Sequence, residues 1–101
     1  MNTFEFDGKK YKMASIHQKE WGNTLIAELK LKGDERILDL GCGDGVLTEQ
    51  LSLSVPNGKV LGIDASMGMI ETAKGIIKNN VEFQQVDINE INYKNEFNII
   101  F

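Results

Sequence analysis

The sequence predicts an α/β fold, a doubly wound parallel sheet of about four strands flanked by helices and preceded by a hairpin and a helix. Three observations carry this expectation. From Arg36 onward, short apolar strands alternate with helical stretches of about ten residues, the pattern of βαβ units around a parallel sheet. The first of these strands runs straight into a loop with glycine at every second position, Gly41-Cys42-Gly43-Asp44-Gly45, which opens a helix. The chain has 101 residues, 42% hydrophobic and 26% charged, which fits one globular domain with a modest core.

Taken in order, Thr3 to Met13 reads as a small hairpin, because Asp7-Gly8 favours the two-residue turn whose twist suits paired strands. That register sets Phe4 opposite Tyr11 and Glu5 opposite Lys10. Ser15-Ile16-His17-Gln18 fits a capping box, in which the Ser and Gln side chains satisfy backbone N–H groups of a first helical turn. A helix then runs to about Leu31, with Trp21, Leu25 and Leu29 on its core face and Gly33 ending it in a left-handed conformation.

Strands are expected at Ile37–Leu40, Val60–Ile63, Val81–Val86 and Phe97–Phe101. A helix from about Gly45 to Leu53 joins the first two. Its Leu47, Leu51 and Val55 repeat at four, and Pro56-Asn57-Gly58 turns the chain out of it. The next helix is capped by Ser66 and runs through Met69, Ile70, Ala73, Ile76 and Ile77 to a stop at Lys78-Asn79-Asn80.

Composition excludes several function classes. With 11 Lys+Arg against 15 Asp+Glu, a net charge of −4 and lysines scattered singly, no basic stripe exists for a phosphate backbone, so no nucleic acid is expected as partner. Apolar runs are a few residues long, far short of the ~20 that cross a bilayer, and no basic-then-apolar signal opens the chain. No membrane partner and a cytoplasmic location are therefore expected. Cys42 is the only cysteine and His17 the only histidine, which rules out an intrachain disulfide and gives no cluster for a metal.

The densest chemical signal is the glycine loop. Glycine serves there by reaching backbone angles other residues avoid and by letting a ligand lie against the main chain, so a nucleotide-like ligand is expected at the carboxyl ends of the strands. A merely tight strand-to-helix turn seldom needs three alternating glycines. The dinucleotide fingerprint requires a third small residue at position 46, which is Val46, so the match to NAD is defective. The second strand ends in Asp64, 23 residues after Gly41, and its two oxygens suit both hydroxyls of a ribose, a role shared by both nucleotide classes. Cys42 stands where a helix N-terminus lowers a thiol pKa, but no base accompanies it and a nucleophilic role is not expected. Met67 and Met69 are most simply core filler, Trp21 a core residue and Gln18 part of the capping box.

Asp39-Leu40-Gly41-Cys42-Gly43-Asp44-Gly45, with an acid two residues before the first glycine, resembles the first motif of class I S-adenosylmethionine-dependent methyltransferases. Two further segments are similar to that family in the same order. Asp64-Ala65-Ser66-Met67-Gly68-Met69-Ile70 looks like its second-strand motif, and Phe83-Gln84-Gln85-Val86-Asp87-Ile88 like the segment that meets the adenine. The resemblance implies a Rossmann-like sheet in the order 3-2-1-4 and a cofactor site with S-adenosylhomocysteine as product. It places Asp39 on the methionine end, Gly41 and Gly43 against the cofactor, Asp64 on the ribose, Met69 on the adenosine, Asp87 on the adenine amino group, and the Ile88 N–H on the ring.

Tyr11, Gln18 and Trp21 ahead of the first strand are similar to small-molecule methyltransferases of the trans-aconitate type, whose helix here helps close the pocket. The resemblance spans about residues 11 to 101, whereas a complete domain of the family has seven strands and more than twice this length. The expectation is therefore a single domain, residues 1–101, that is the front half of such an enzyme and inactive alone. Residues 1–33 form the hairpin and helix, and residues 34–101 the cofactor-binding core. The methyl acceptor is expected to be a small molecule, the catalytic residues are unassigned, and a dimer through the apolar C-terminal edge strand is the alternative to a fragment. Two other readings remain open, a module that binds the cofactor without turning it over and a piece of an NAD-dependent oxidoreductase.

Overall fold

Residues 36 to 40 carry apolar side chains at 37, 38 and 40, and they form the central strand β1, Arg36–Leu40. The computed structural model describes residues 20–93 and 96–101, so the hairpin and the capping box expected before residue 20 lie outside the described residues. Residues 20–28 are helical (α1). After β1 come α2, Val46–Ser54, β2, Lys59–Asp64, α3, Met67–Ala73, β3, Val81–Gln85, a short 3-10 helix, Ile88–Glu90, and β4, Ile99–Ile100.

The four strands form one parallel sheet in the order β3-β2-β1-β4, as expected. The order reverses at β1, which makes its carboxyl end the topological switch point where open α/β sheets take ligands. Ile37 pairs with Val60 and Val60 with Val81, while Asp39 pairs with Gly62 and Gly62 with Phe83. Residues two apart share a face, and this face meets the helices.

Two buried clusters fill the space between that face and the helices. Ile26, Ile37, Leu51, Val55 and Val60 form one, and Cys42, Ile70, Ala73 and Phe83 the other. Fully burying each such aliphatic side chain contributes roughly 1.5–3 kcal/mol. On the opposite face, Tyr93 and Phe97 stack edge to face at 5.2 Å and share a hollow with Leu61.

Several boundaries differ from the sequence expectation. Trp21 is 63% exposed and Leu29 is also exposed, because α1 presents Gly22 and Ile26 to the core. A Cβ at Gly22 would lie 2.8 Å from Gln50 Oε1 and 3.0 Å from Leu47 Cδ1, so the glycine permits a close helix approach that apolar spacing does not reveal. The left-handed residue just after α1 is Lys30, φ 51°. Gly33 has φ 108° in the following loop, where its N–H and that of Lys32 donate to the Glu35 carboxylate at 2.8 and 2.7 Å. Those backbone donors, Lys32 foremost, hold Glu35 below the usual carboxylate range.

Helix α3 stops at Ala73, well before the expected stop at Lys78, and Ile77 is 91% exposed. Met67 and Met69 are exposed too, not core filler, because α3 buries only Ile70 and Ala73. The last strand is shorter than expected, although Asn98 N–H to Arg36 O and Phe101 N–H to Leu38 O, both 2.8 Å, extend its pairing with β1.

Candidate functional site

Parallel register brings the carboxyl ends of β1, β2 and β3 side by side. The pairing continues past the strands, with Cys42 N–H donating to Ile63 O at 2.9 Å and Val86 N–H to Asp64 O at 3.0 Å. Three loops therefore start from neighbouring points. Between them lies a cleft of about 270 Å³ lined by Gly41, Ile63, Asp64, Ala65, Val86, Asp87 and Ile88.

The glycine loop combines two local requirements. Gly41 and Gly43 have φ of 67° and 57°, where a side chain is strained, and a Cβ on either would project into open space with no atom within 4 Å. Gly45, φ 87°, faces inward, and a Cβ there would lie 2.8 Å from Phe83 Cζ. The first two glycines thus leave room above the loop, while the third lets the start of α2 pack on β3.

Asp64 is the hub of the loops. Its Oδ2 accepts the Gly43 N–H at 3.0 Å and its Oδ1 the Ser66 N–H at 2.9 Å. Ser66 Oγ in turn accepts the Met69 N–H at 3.2 Å, the expected cap of α3. Gln85 Nε2 donates to Ala65 O at 3.0 Å and ties the end of β3 to the same turn. Asp87 caps the 3-10 helix, accepting the Asn89 N–H on Oδ1 at 2.9 Å.

Asp39 is 3% exposed on the helix-facing side of β1. Its Oδ2 accepts the hydroxyl of Thr48, a fully buried residue of α2, at 2.7 Å. Burial pushes the Asp39 carboxyl above its ordinary value, and the Thr48 bond opposes this. Burial also pushes the Cys42 thiol up to about 11, helped by the negative charges of Asp39 and Asp64. A thiol so disposed is a poor nucleophile at neutral pH, in agreement with the sequence reading.

Of the seven residues singled out in the sequence, the cleft gathers Gly41, Asp64, Asp87 and Ile88. Gly43 joins them through its bond to Asp64, whereas Asp39 lies buried with Thr48 and Met69 stands exposed on α3, neither lining the cleft. Sequence reasoning missed Thr48, Ala65 and Val86. For Thr48 a signal existed: Thr48, Leu51, Ser52 and Val55 are the buried residues at the helix face, spaced i, i+3, i+4 and i+7. Two hydroxyl residues on that stripe hide it from an apolar count.

Residues 31–101 match the family model described as a methyltransferase domain. The chain belongs to this methyltransferase domain family. Among its curated relatives is a malonyl-(acyl-carrier protein) O-methyltransferase of Acetivibrio thermocellus, 36% identical over 100 residues, covering 96% of this chain and 35% of the relative. A trans-aconitate 2-methyltransferase of Methylobacterium nodulans is 32% identical over 88 residues, covering 87% and 34%. This methyltransferase domain thus spans about a third of the length of both relatives. Its fold superposes with a TM-score of 0.66 on the plantazolicin methyltransferase BpumL, solved with SAH and a triazolic desmethylPZN analog, at 25% identity over 93% of this chain and 41% of that one. Among the described residues no helix is long and apolar enough to cross a membrane, and no group of His, Cys, Asp and Glu is arranged to hold a metal.

Proposed function

We propose that this chain is the cofactor-binding portion of a cytoplasmic S-adenosylmethionine-dependent methyltransferase acting on a small-molecule acceptor. Residues 34–101 form the cofactor-binding core, with residues 1–33 ahead of it. The observation that carries the reading is the meeting of Gly41, Asp64, Asp87 and Ile88 around one cleft at the carboxyl ends of three parallel strands. Of the relatives named above, the one that acts on trans-aconitate by name supports a small-molecule acceptor, and the one solved with SAH supports the cofactor.

The residues present fit the cofactor. Gly41 and Gly43 leave open space over the loop. A carboxylate offers about four lone-pair sites, and Asp64 uses one on each oxygen for a backbone donor, so each oxygen retains capacity for a ribose hydroxyl. Asp87 Oδ2 and the Ile88 N–H are engaged by no described residue, leaving an acceptor and a donor for the two edges of an adenine. Met69 offers an exposed apolar side chain to the adenosine, and Asp39 serves the methionine end.

When bound, S-adenosylmethionine supplies a methyl group already activated by its sulfonium charge, and S-adenosylhomocysteine is the product. The task left to the protein is positioning and exclusion of water. These residues bind and orient, and none is assigned a catalytic role, so the chain alone binds cofactor without turning it over. An NAD-linked oxidoreductase is disfavoured because Val46, half-buried at the start of α2, occupies the third-glycine position. The exposed apolar edge at β4 is proposed to pair two isolated chains into a dimer.

Amide chemical shifts of the ¹⁵N-labelled chain test the site. Titration with S-adenosylhomocysteine is expected to move Gly41, Gly43, Asp64, Val86 and Ile88. Shifts confined to the hollow beside Tyr93 and Phe97 would place the ligand elsewhere and sink the proposal.

A further inference from the structure

Asp64 and Ala65, from the loop after β2, form one wall of the cleft, and Val86, Asp87 and Ile88, from the end of β3, form the other. Backbone pairing between the two ends where Val86 N–H donates to Asp64 O. Among the described residues, one side-chain bond joins these strand ends, Gln85 Nε2 to Ala65 O at 3.0 Å, and no other described residue donates to that carbonyl. Gln85 is exposed, so the core does not select it. It is the register partner of Asp64 and stands beside it on the same face of the sheet.

The carbonyl that Gln85 holds and the N–H that Asp64 holds belong to a single peptide unit. Ala65 O takes the Gln85 amide, and Ser66 N–H donates to Asp64 Oδ1 at 2.9 Å. A peptide unit is planar and turns as one body, so fixing its oxygen fixes the direction of its N–H. Gly43 N–H holds the other carboxylate oxygen, Oδ2, at 3.0 Å. The Asp64 carboxylate is thus set from two sides, by the glycine loop directly and by Gln85 one peptide away.

Resting on the cofactor reading above, we propose that Gln85 is a positioning residue: through the Ala65–Ser66 peptide it sets the Asp64 carboxylate in the orientation that accepts the paired hydroxyls of a ribose. Gln85 does not line the cleft and acts only through that peptide. Its amide is suited to the task because it donates while staying neutral. A glutamate offers the carbonyl no proton, and a lysine brings a cation beside Asp64 to compete for the carboxylate.

The test is a double-mutant cycle, read as calorimetric affinity for S-adenosylhomocysteine. Gln85→Ala is expected to weaken binding about fivefold, as for one lost hydrogen bond between neutral groups, and Gln85→Glu, which keeps the length without the donor, at least as much. In an Asp64→Ala background Gln85→Ala is expected to change affinity by less than about twofold, because the group it orients is gone. Adenosine and 2′,3′-dideoxyadenosine, which differ only in the two ribose hydroxyls, are compared by amide-shift titration; Gln85→Ala is expected to weaken the first and spare the second. Equal losses with and without Asp64, or with and without the hydroxyls, would show a purely structural role and overturn the proposal. So would unchanged affinity in Gln85→Ala and Gln85→Glu where Asp64→Ala weakens binding, which leaves the cofactor reading standing. Should Gln85→Ala fail to fold, Gln85→Glu is carried through the same cycle. Failure of the unaltered, folded chain to bind S-adenosylhomocysteine, or full affinity in Asp64→Ala, overturns the cofactor reading and the Gln85 assignment with it.

Discussion

Two groups near the end of β1 hold protons more tightly than they would in water, and each gives a measurable consequence. A Cys42 pKa near 11, against the ordinary 9.0, leaves roughly a hundredth of the thiolate at pH 8. Alkylation of the folded chain by iodoacetamide at pH 8 is therefore expected to run about 100-fold slower than in urea; equal rates would show an accessible, ordinary thiol. The raised pKa also means that Cys42's stabilising contribution is intact below pH 9 and lost as pH rises through about 11. For Asp39, raised above 3.8 by burial, the native state binds more protons than the unfolded one, so stability falls as pH climbs above that value. Asp39→Asn is expected to gain stability relative to the unaltered chain at pH 7 compared with pH 3, by urea midpoint, while weakening S-adenosylhomocysteine. A constant difference between the two pH values would contradict the assignment. At this scale Asp64 and the glycines were legible in the sequence from their spacing after strands, and Asp87 through the family resemblance. For Thr48 the burial could be read from its helical stripe but the bond to Asp39 could not, because the partner is nine positions away and the pairing depends on how α2 rolls against β1.

At the scale of elements, helix α2 ends without a basic residue or glycine in its last turn, and Asn80 supplies what is missing. Its Nδ2 donates to Ser52 O at 2.9 Å and Val55 O at 3.1 Å, reaching the helix end from the start of β3. Asn80→Ala is expected to cost about 1–3 kcal/mol, since two hydrogen bonds are lost while Ser52 O keeps the Val55 N–H and Val55 O the Gly58 N–H, and Asn80→Asp at least as much, because an anion faces the negative helix end. A urea midpoint unchanged in either variant would show that the backbone donors of Val55 and Gly58 suffice for those carbonyls. Leu51→Ala, at a fully buried position of the same helix, is expected to cost about 2–5 kcal/mol. Element type followed from the sequence because strand and helix periods differ clearly after Arg36. Extents were harder. Ile76 and Ile77 continue the helical spacing of α3, yet Gly75 follows the cap, and Ile76 N–H bonds to Ala73 O at 2.9 Å in a tighter turn. That turn carries Ile76 against the Cys42 and Phe83 cluster and leaves Ile77 in solvent. Likewise α1 packs by a glycine, Gly22, which hydrophobic counting passes over.

Across the whole molecule, the sheet order places the polar strand β3 at one edge and the apolar strand β4 at the other. Glu82, Gln84 and Gln85 are exposed on the first, whereas Ile100 on the second is 64% exposed. Edges of the second kind pair with other chains, so light scattering at high concentration is expected to find a dimer that Ile100→Lys dissociates; a clean monomer before substitution would refute edge pairing. The order 3-2-1-4 was readable only through the family resemblance that the three motifs carry, because the glycine loop and the acids after β2 and β3 mark carboxyl ends without ordering the strands. What no single chain position could announce was which of these residues share a cleft, since Met69 and Asp39 follow the same motif logic as Gly41 and Asp87 and yet do not line it. Nucleotide selection by that cleft decides the function. Its most direct test is calorimetric titration of the purified, folded chain with S-adenosylhomocysteine and, separately, with NAD, repeated on Asp64→Ala. Saturable binding of S-adenosylhomocysteine alone, weakened roughly 10- to 100-fold by the substitution as expected for lost bonds to a charged acceptor, is the result the account requires; binding of NAD instead, or of neither ligand, would contradict it.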